Sequence, residues 1–340
     1  MTSREPSWQA HSLRLRRTGD SPKVRRRRRI QFLTRKVQAM AMQVGLNLLG
    51  TEAIYGGDIR SVLDLAATAD RTGIDMITTG DHVGFNATAH AQRLVSDQFP
   101  FPLEHPWFEP LALMSAVAAV TQNARLGMSV LVATLRPATL LAKQLATLDI
   151  VSGGRISIGM GVGWQEAEYT ATGMPFDGRF GRLEQTVEAC RELWTAAPAT
   201  FAGRGFEFED FYCLPHPKQH RVPIQFGMAP SQRNFDRIAR VADGWSVNPN
   251  DMRGFAESVA LLRATFAAHG RDPESAEVHI QLNPSRDSSG TVDLDATAEA
   301  AHRWHSAGAT TIAFLPSRFD ADANSIPELI DWMVGLKTLN

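Results

Sequence analysis

The run from Arg136 to Trp164, RPATLLAKQLATLDIVSGGRISIGMGVGW, dictates a helix, a stop and a buried strand in that order. Leu140, Leu141, Leu145 and Leu148 fall close to the i, i+4, i+8 rows of one helix face. Ser152-Gly153-Gly154 ends that helix, because glycine takes the left-handed conformation a helix end needs. Arg155 to Met160 then reads as a buried strand, and Gly159, Gly161 and Gly163 come where it ends. In parallel α/β folds, ligands bind at the C-terminal ends of strands. Glycines there let backbone N–H groups approach a ligand closely. The same glycines also fit a tight strand-to-helix turn with no ligand.

The alternation extends over the whole chain from Gln43. Strands are predicted at 43–49, 75–79, 124–133, 155–160, 222–228, 244–247, 277–282 and 310–315, with helical patterns between them. Asp58 and Gly73 bracket the first long helix as cap and stop. Eight strands alternating with helices over about 300 residues predict a (β/α)8 TIM barrel with loop insertions. An open doubly wound sheet is the alternative. Two segments exceed an ordinary connection. Residues 200–217 read as an extended strand pair turning at Ala202-Gly203-Arg204-Gly205. The aromatic- and proline-rich insert Val83 to Trp107 reads as a functional loop over a pocket mouth.

Charge is unevenly spread. Residues 1–42 hold 12 Lys/Arg against Glu5 and Asp20, including the run Arg25 to Arg29, which leaves 23 basic and 34 acidic residues for the remainder. Three readings of residues 1–42 compete. They form a disordered basic extension able to touch nucleic acid or anionic lipid, or a targeting segment, or a stretch upstream of a native start at Met40 or Met42. The third fits the compositional break best, and the segment is kept out of the fold, which is assigned to 43–340. The acidic body repels polyanions, so no nucleic-acid partner is expected for it. No apolar run of 18 residues occurs, so no membrane partner is expected. Cys190 and Cys213 give no disulfide framework, and a cytoplasmic location is the default.

Three polar places could carry chemistry. Asp81 and His82 follow the second strand, where a barrel keeps its catalytic face; the pair could shuttle a proton, or simply cap a turn and pack. Phe226-Gly227-Met228-Ala229-Pro230-Ser231 joins a strand to a helix N-terminus, a geometry that suits a phosphate. Glu166 and Glu168 read as exposed acids in a helix's first turn. No Cys/His cluster has zinc spacing, His302 and His305 read as a solvated helix face, and no metal is expected.

LDIVSGGRISIGMGVGW resembles the most recognisable run of the luciferase-like superfamily, which includes bacterial luciferase, alkanesulfonate monooxygenases and deazaflavin-dependent oxidoreductases. EAEYTATGMPFDGRFGRLEQTVEACRELW, Glu166 to Trp194, is similar to the deazaflavin branch, and the resemblance extends over Gln43 to Asn340. It implies a barrel with insertions and a reduced flavin-like ring at the C-terminal mouth. By that resemblance Asp81 and His82 are the catalytic pair, with the Asp81 carboxylate near the ring and His82 as proton donor. A non-proline cis peptide bracing the ring is implied at Ser129–Val130. Gly161, Val162, Gly163 and Trp164 are implied to approach the ring, and Gly227, Met228 and Ala229 the phosphate tail. Sugar-phosphate dehydrogenases of the superfamily carry a catalytic Glu where this chain has Trp164, which argues against that reaction. The family's usual Gly-Gly is here Gly227-Met228, which puts close backbone approach at Met228 in doubt. Arg237 and Arg240 are placed to reach a phosphate or to form salt bridges, with the salt bridge preferred for Arg240.

The implied activity is hydride transfer with coenzyme F420 to or from a small organic substrate. The alternative is an FMN-dependent monooxygenase using O2, with a flavin reductase as partner. A reading of another class is a non-catalytic cofactor-binding or interaction protein. The superfamily habit of pairing through barrel helices implies a homodimer. Phe85, Phe99, Phe101 and Trp107 in the insert are either an apolar substrate wall or packing anchors.

Overall fold

A computed structural model of the chain describes residues 41–95, 101–248 and 252–338. The basic run at 25–29 and Phe99 therefore lie outside the described residues. The strands are short and mostly buried, so they are covered on both sides. They are β1 (Gln43–Asn47), β2 (Met76–Thr79), β3 (Arg125–Met128), β4 (Leu131–Val132), β5 (Ile158–Gly161), β8 (Ile224–Gly227), β9 (Gly244–Ser246), β10 (Glu277–Leu282) and β13 (Thr311–Phe314). All pair in parallel, in the order β3-β2-β1-β13-β10-β9-β8-β5-β4. This is the (β/α)8 barrel, with β3 and β4 as two halves of its third strand. β3 pairs with β2, β4 pairs with β5, and a bridge between Leu126 and Ile156 brings the two sides together. Two ribbons lie apart from the barrel sheet: β6 (Ala199–Ala202) with β7 (Glu207–Phe211), and β11 (Ser285–Arg286) with β12 (Val292–Asp293).

Eleven helices cover the outside or its loops among the described residues: α1 (Thr51–Ile54), α2 (Ile59–Thr72), α3 (Ala87–Val95), α4 (Pro110–Val120), α5 (Ala138–Val151), α6 (Glu166–Thr172), α7 (Arg179–Thr195), α8 (Gln232–Val241), α9 (Phe255–Ala268), α10 (Leu294–Ser306) and α11 (Ile326–Gly335). Asp58 caps α2 and Gly73 ends it in the left-handed conformation, as expected. The sequence reading of 124–133 as one strand needs correction, because residues 129 and 130 interrupt its ladder. The insert is not pure loop either, since it contains α3. No helix among the described residues is long and apolar enough to cross a membrane.

The N-terminal ends of the strands are locked by a polar cluster. Arg125 donates to Ser157 at 2.6 Å and to both Glu277 carboxylate oxygens at 3.0 and 3.1 Å. Gln225 and His279 also reach Glu277 Oε2, at 2.9 and 3.0 Å. Burial alone would raise the Glu277 pKa, but His279 and Arg125 outweigh it and hold the carboxyl at about 2. The native state therefore binds fewer protons than the unfolded chain. Its stabilisation is complete above the ordinary carboxylate range and is lost as pH falls toward about 2. Glu277→Gln is expected to flatten that acid limb by on the order of 2 kcal/mol. Urea melts between pH 5 and pH 2.5 check it; an unchanged pH slope would contradict it.

Both cysteines are buried, and burial pushes the Cys190 thiol up to about 12, so it packs and does not react.

Candidate functional site

A second set of polar residues gathers at the opposite, C-terminal end of the barrel. Asp81 leaves β2 into the core. Its Oδ2 accepts from Val132 N–H at 2.8 Å and from Arg136 at 2.7 Å, and Oδ1 accepts from Arg136 at 3.1 Å. Arg136 also donates to Glu109 at 3.0 Å. The carboxylate is thus a two-oxygen clasp between β2, β4 and the start of α5. The geometry gives Asp81 a positioning place.

His82 points the other way, into aromatic surroundings. Its ring centroid lies 4.5 Å from Phe85, 4.7 Å from Trp107 and 6.0 Å from Trp164. Phe101 lies 5.4 Å from Trp107, and Arg93 sits over Trp164 at 4.8 Å. Three of the four insert aromatics singled out in the sequence therefore do converge.

The partner of His82 was misread in the sequence. Glu168 is not an exposed first-turn acid; it is 4% exposed, whereas Glu166 is exposed. Both Glu168 oxygens lie 3.1 Å from His82 Nδ1, and Oε1 accepts Val83 N–H at 2.8 Å. Burial raises the Glu168 pKa, but His82, Val83 N–H and Gln165 together hold it below the usual carboxylate range. Gln165, the residue before α6, accepts Asn86 N–H at 2.7 Å and donates to Gly84 C=O at 2.8 Å. Gln165 stands at the N-cap of α6 and Glu168 lies in its first turn, so the start of α6 grips the segment 82–86 with two side chains. Their spacing, beside the buried Tyr169, was the available signal.

The strand ends show a steric reason for their glycines beside the expected one. The Ser129–Val130 peptide is cis. A side chain at Gly161 would meet Val130 Cγ2 at 2.7 Å, and one at Gly227 would meet Val130 Cγ1 at 3.0 Å. These glycines make room for the bulge residue. Val130 and Ser129 are half-buried at the mouth, flanked by Gly161 and Gly227, with Val162 buried and Gly163 and Trp164 half-buried beyond them. Further inside, Asn47 donates to Gln281 at 2.9 Å. Thr78, its register partner, leaves the sheet on the same face and carries a buried hydroxyl without a hydrogen-bond partner among the described residues.

At the second place, Ser231 caps α8 by accepting Asn234 N–H at 3.2 Å, and Ala229 C=O accepts from Asn234 at 2.9 Å. Met228 turns its side chain into the core and gives its carbonyl to Trp245 at 2.8 Å. It does not occlude the surface, where Ala229 is exposed. Arg237 and Arg240 both pair with Glu184, at 2.6 and 2.5 Å. No group of three His/Cys/Asp/Glu placed to hold a metal occurs among the described residues.

The family model of luciferase-like monooxygenases matches residues 41–328. The chain belongs to the luciferase-like monooxygenase family. Members of this luciferase-like family are monooxygenases and other oxidoreductases, and the chain is an oxidoreductase. An uncharacterised protein of Mycobacterium tuberculosis is 34% identical over 221 residues, 65% of this chain and 74% of that one. The FMNH2-dependent dimethylsulfone monooxygenase of Pseudomonas putida is 33% identical over 165 residues, and the match spans less than half its length, 45%, and 48% of this chain. Among solved structures, an F420-dependent secondary alcohol dehydrogenase bound to an F420-acetone adduct has a TM-score of 0.71 at 16% identity, covering 87% of this chain and 99% of that one. Monooxygenase RslO1 of Streptomyces bottropensis has a TM-score of 0.69 at 20% identity, over 87% and 98%. At those identities the structures share the barrel fold.

Proposed function

We propose that this luciferase-like oxidoreductase transfers hydride between coenzyme F420 and a small organic substrate, with His82 exchanging the accompanying proton. The observation that carries this is the Glu168–His82 contact, 3.1 Å from both carboxylate oxygens to Nδ1, inside an aromatic wall. An ionised Glu168 fixes the ring so that Nδ1 donates to it. The proton that moves is then the one on Nε2. Asp81 keeps the backbone of β4 and Arg136 in place. The residues at the mouth fit a flat heterocycle. Val130 offers an apolar face, and the buried Thr78 hydroxyl and the Asn47–Gln281 pair offer polar partners for a ring edge. The Ser231-capped start of α8 suits the phosphate of the tail, with Gly227, Met228 and Ala229 leading to it. When bound, the deazaflavin supplies the carbon that gives or takes the hydride. The aromatic wall excludes water and orients the substrate beside His82.

A reduced-FMN monooxygenase reading has its own support, because named relatives above 30% identity are FMNH2-dependent or pyrimidine monooxygenases. It would add a flavin reductase as partner. The reading of a non-catalytic binding or interaction protein has no such support. Anaerobic fluorescence titration of the full chain with F420 and with reduced FMN separates the first two. Tighter binding of F420 is expected; a preference for reduced FMN would sink the hydride reading. A homodimer is proposed on family habit alone and is checked by light scattering.

A further inference from the structure

Beside the site lies a second buried acid and imidazole that the proposed chemistry does not use. Glu52 is the second residue of α1, directly above β1, and its side chain is 5% exposed; that of His105, in the insert, is 7% exposed. Glu52 Oε1 and His105 Nδ1 stand 3.6 Å apart. Neither Glu52 Oε1 nor His105 Nε2 has a hydrogen-bond partner among the described residues. Burial pushes the Glu52 carboxyl up and the His105 imidazole down, so both are driven toward their uncharged forms. Such a pair is a poor source of stability, since apolar residues of similar volume usually serve as well. Its surroundings point elsewhere. His105 packs against Trp107 at 5.3 Å and Phe101 at 4.5 Å. Trp107 and Glu52 line one small cavity with Gly80, the residue before Asp81. Trp107 in turn meets the His82 ring edge-on.

We propose that Glu52 and His105 are positioning residues, whose packed side chains pin the insert to the end of β1 and so hold Trp107 against His82. This rests on the reading of the His82 pocket as the ring and substrate site. The contact joins the insert to the barrel at a point remote in sequence from both α6 and Asp81. It sets the depth of the aromatic wall and, with it, the bulk of substrate that reaches His82.

The test compares the full chain with Glu52→Gln, Glu52→Leu and His105→Leu. Each is read by thermal melting, by anaerobic titration with F420 and with reduced FMN, and by NMR of 13C-labelled histidine, with the His82 signal identified by its loss in His82→Ala. Glu52→Leu and His105→Leu are expected to melt within a few degrees of wild type, to shift the His82 signal, and to weaken the preferred coenzyme about tenfold. Glu52→Gln preserves size and hydrogen-bonding capacity without charge, and should restore both readouts to near wild type. If the leucine variants leave the His82 signal and the affinity unchanged, the proposal is overturned. If glutamine fails as badly as leucine, a side chain of the same size does not suffice and the packing role is overturned. Should either leucine variant not fold, a Glu52→Gln chain whose His82 signal departs from wild type overturns it as well. If wild type binds neither coenzyme, the functional reading fails, and the His82 signal alone tests the positioning role.

Discussion

His82→Ala is expected to slow hydride transfer by about 10²- to 10⁴-fold, the range for losing a placed general acid or base. Coenzyme affinity should change far less, because the bulge at Ser129–Val130 and the α8 terminus do not depend on the imidazole. The rate is read from reduced-F420 absorbance with a panel of small ketones and enones. Glu168→Leu should reproduce a large part of the loss with His82 still present. It removes the acceptor that fixes the Nδ1 proton and the anchor of Val83 N–H. The sign of the pH effect follows. Glu168 is held below its ordinary range, so the native state binds fewer protons, and the clasp is complete above that range and lost as pH falls below it. A His82→Ala chain that turns over at the wild-type rate would remove the histidine from the mechanism.

Gly127→Ala should be the most damaging small change to the fold. An added Cβ would stand 2.0 Å from the Ser157 carbonyl oxygen, which is backbone and cannot rotate aside. It falls where Leu126 N–H donates to Arg155 C=O and Ser157 N–H to Leu126 C=O, both at 2.9 Å, the bonds that join β3 to the run-in of β5. Opening that seam is expected to cost about 3–5 kcal/mol, enough to lower Tm by about 6–15 °C. Gly181→Ala is the matched control. That glycine lies inside α7 with open space around it, so the same methyl group should stabilise the chain by about 0.5–1 kcal/mol. Equal Tm shifts for the two variants would contradict the seam argument.

The barrel was legible because its signals are local. Asp58 and Gly73 bracket α2 and the apolar runs mark the strands, and β10 falls on the predicted residues 277–282. The interruption of the third strand was visible only through family resemblance, since nothing in Met128-Ser129-Val130 departs from strand composition. The glycines at 161 and 227 also have a steric role that the sequence did not show. Their neighbour is a side chain from another strand, which spacing along the chain does not reveal. Glu168 shows the same limit. Two acids two apart look alike in sequence, and only the helix phase of α6, together with a loop 80 residues upstream, separates the buried one from the exposed one. Glu52 is a similar case, since its counterpart lies 53 positions away.

The insert from Val83 to Trp107 is fastened at its two margins and, through His105, against Glu52. Gln165 and Glu168 hold its first residues, while the Asp81–Arg136–Glu109 clasp secures the chain just after its last. The described residues between those fastenings include no barrel strand. The chain is thus built as a socket and a cassette. A protein engineer can swap the cassette, provided Gln165, Glu168, Asp81, Arg136, Glu109 and the Glu52–His105 contact stay. A graft that ignores them should yield a sound barrel with an unseated histidine.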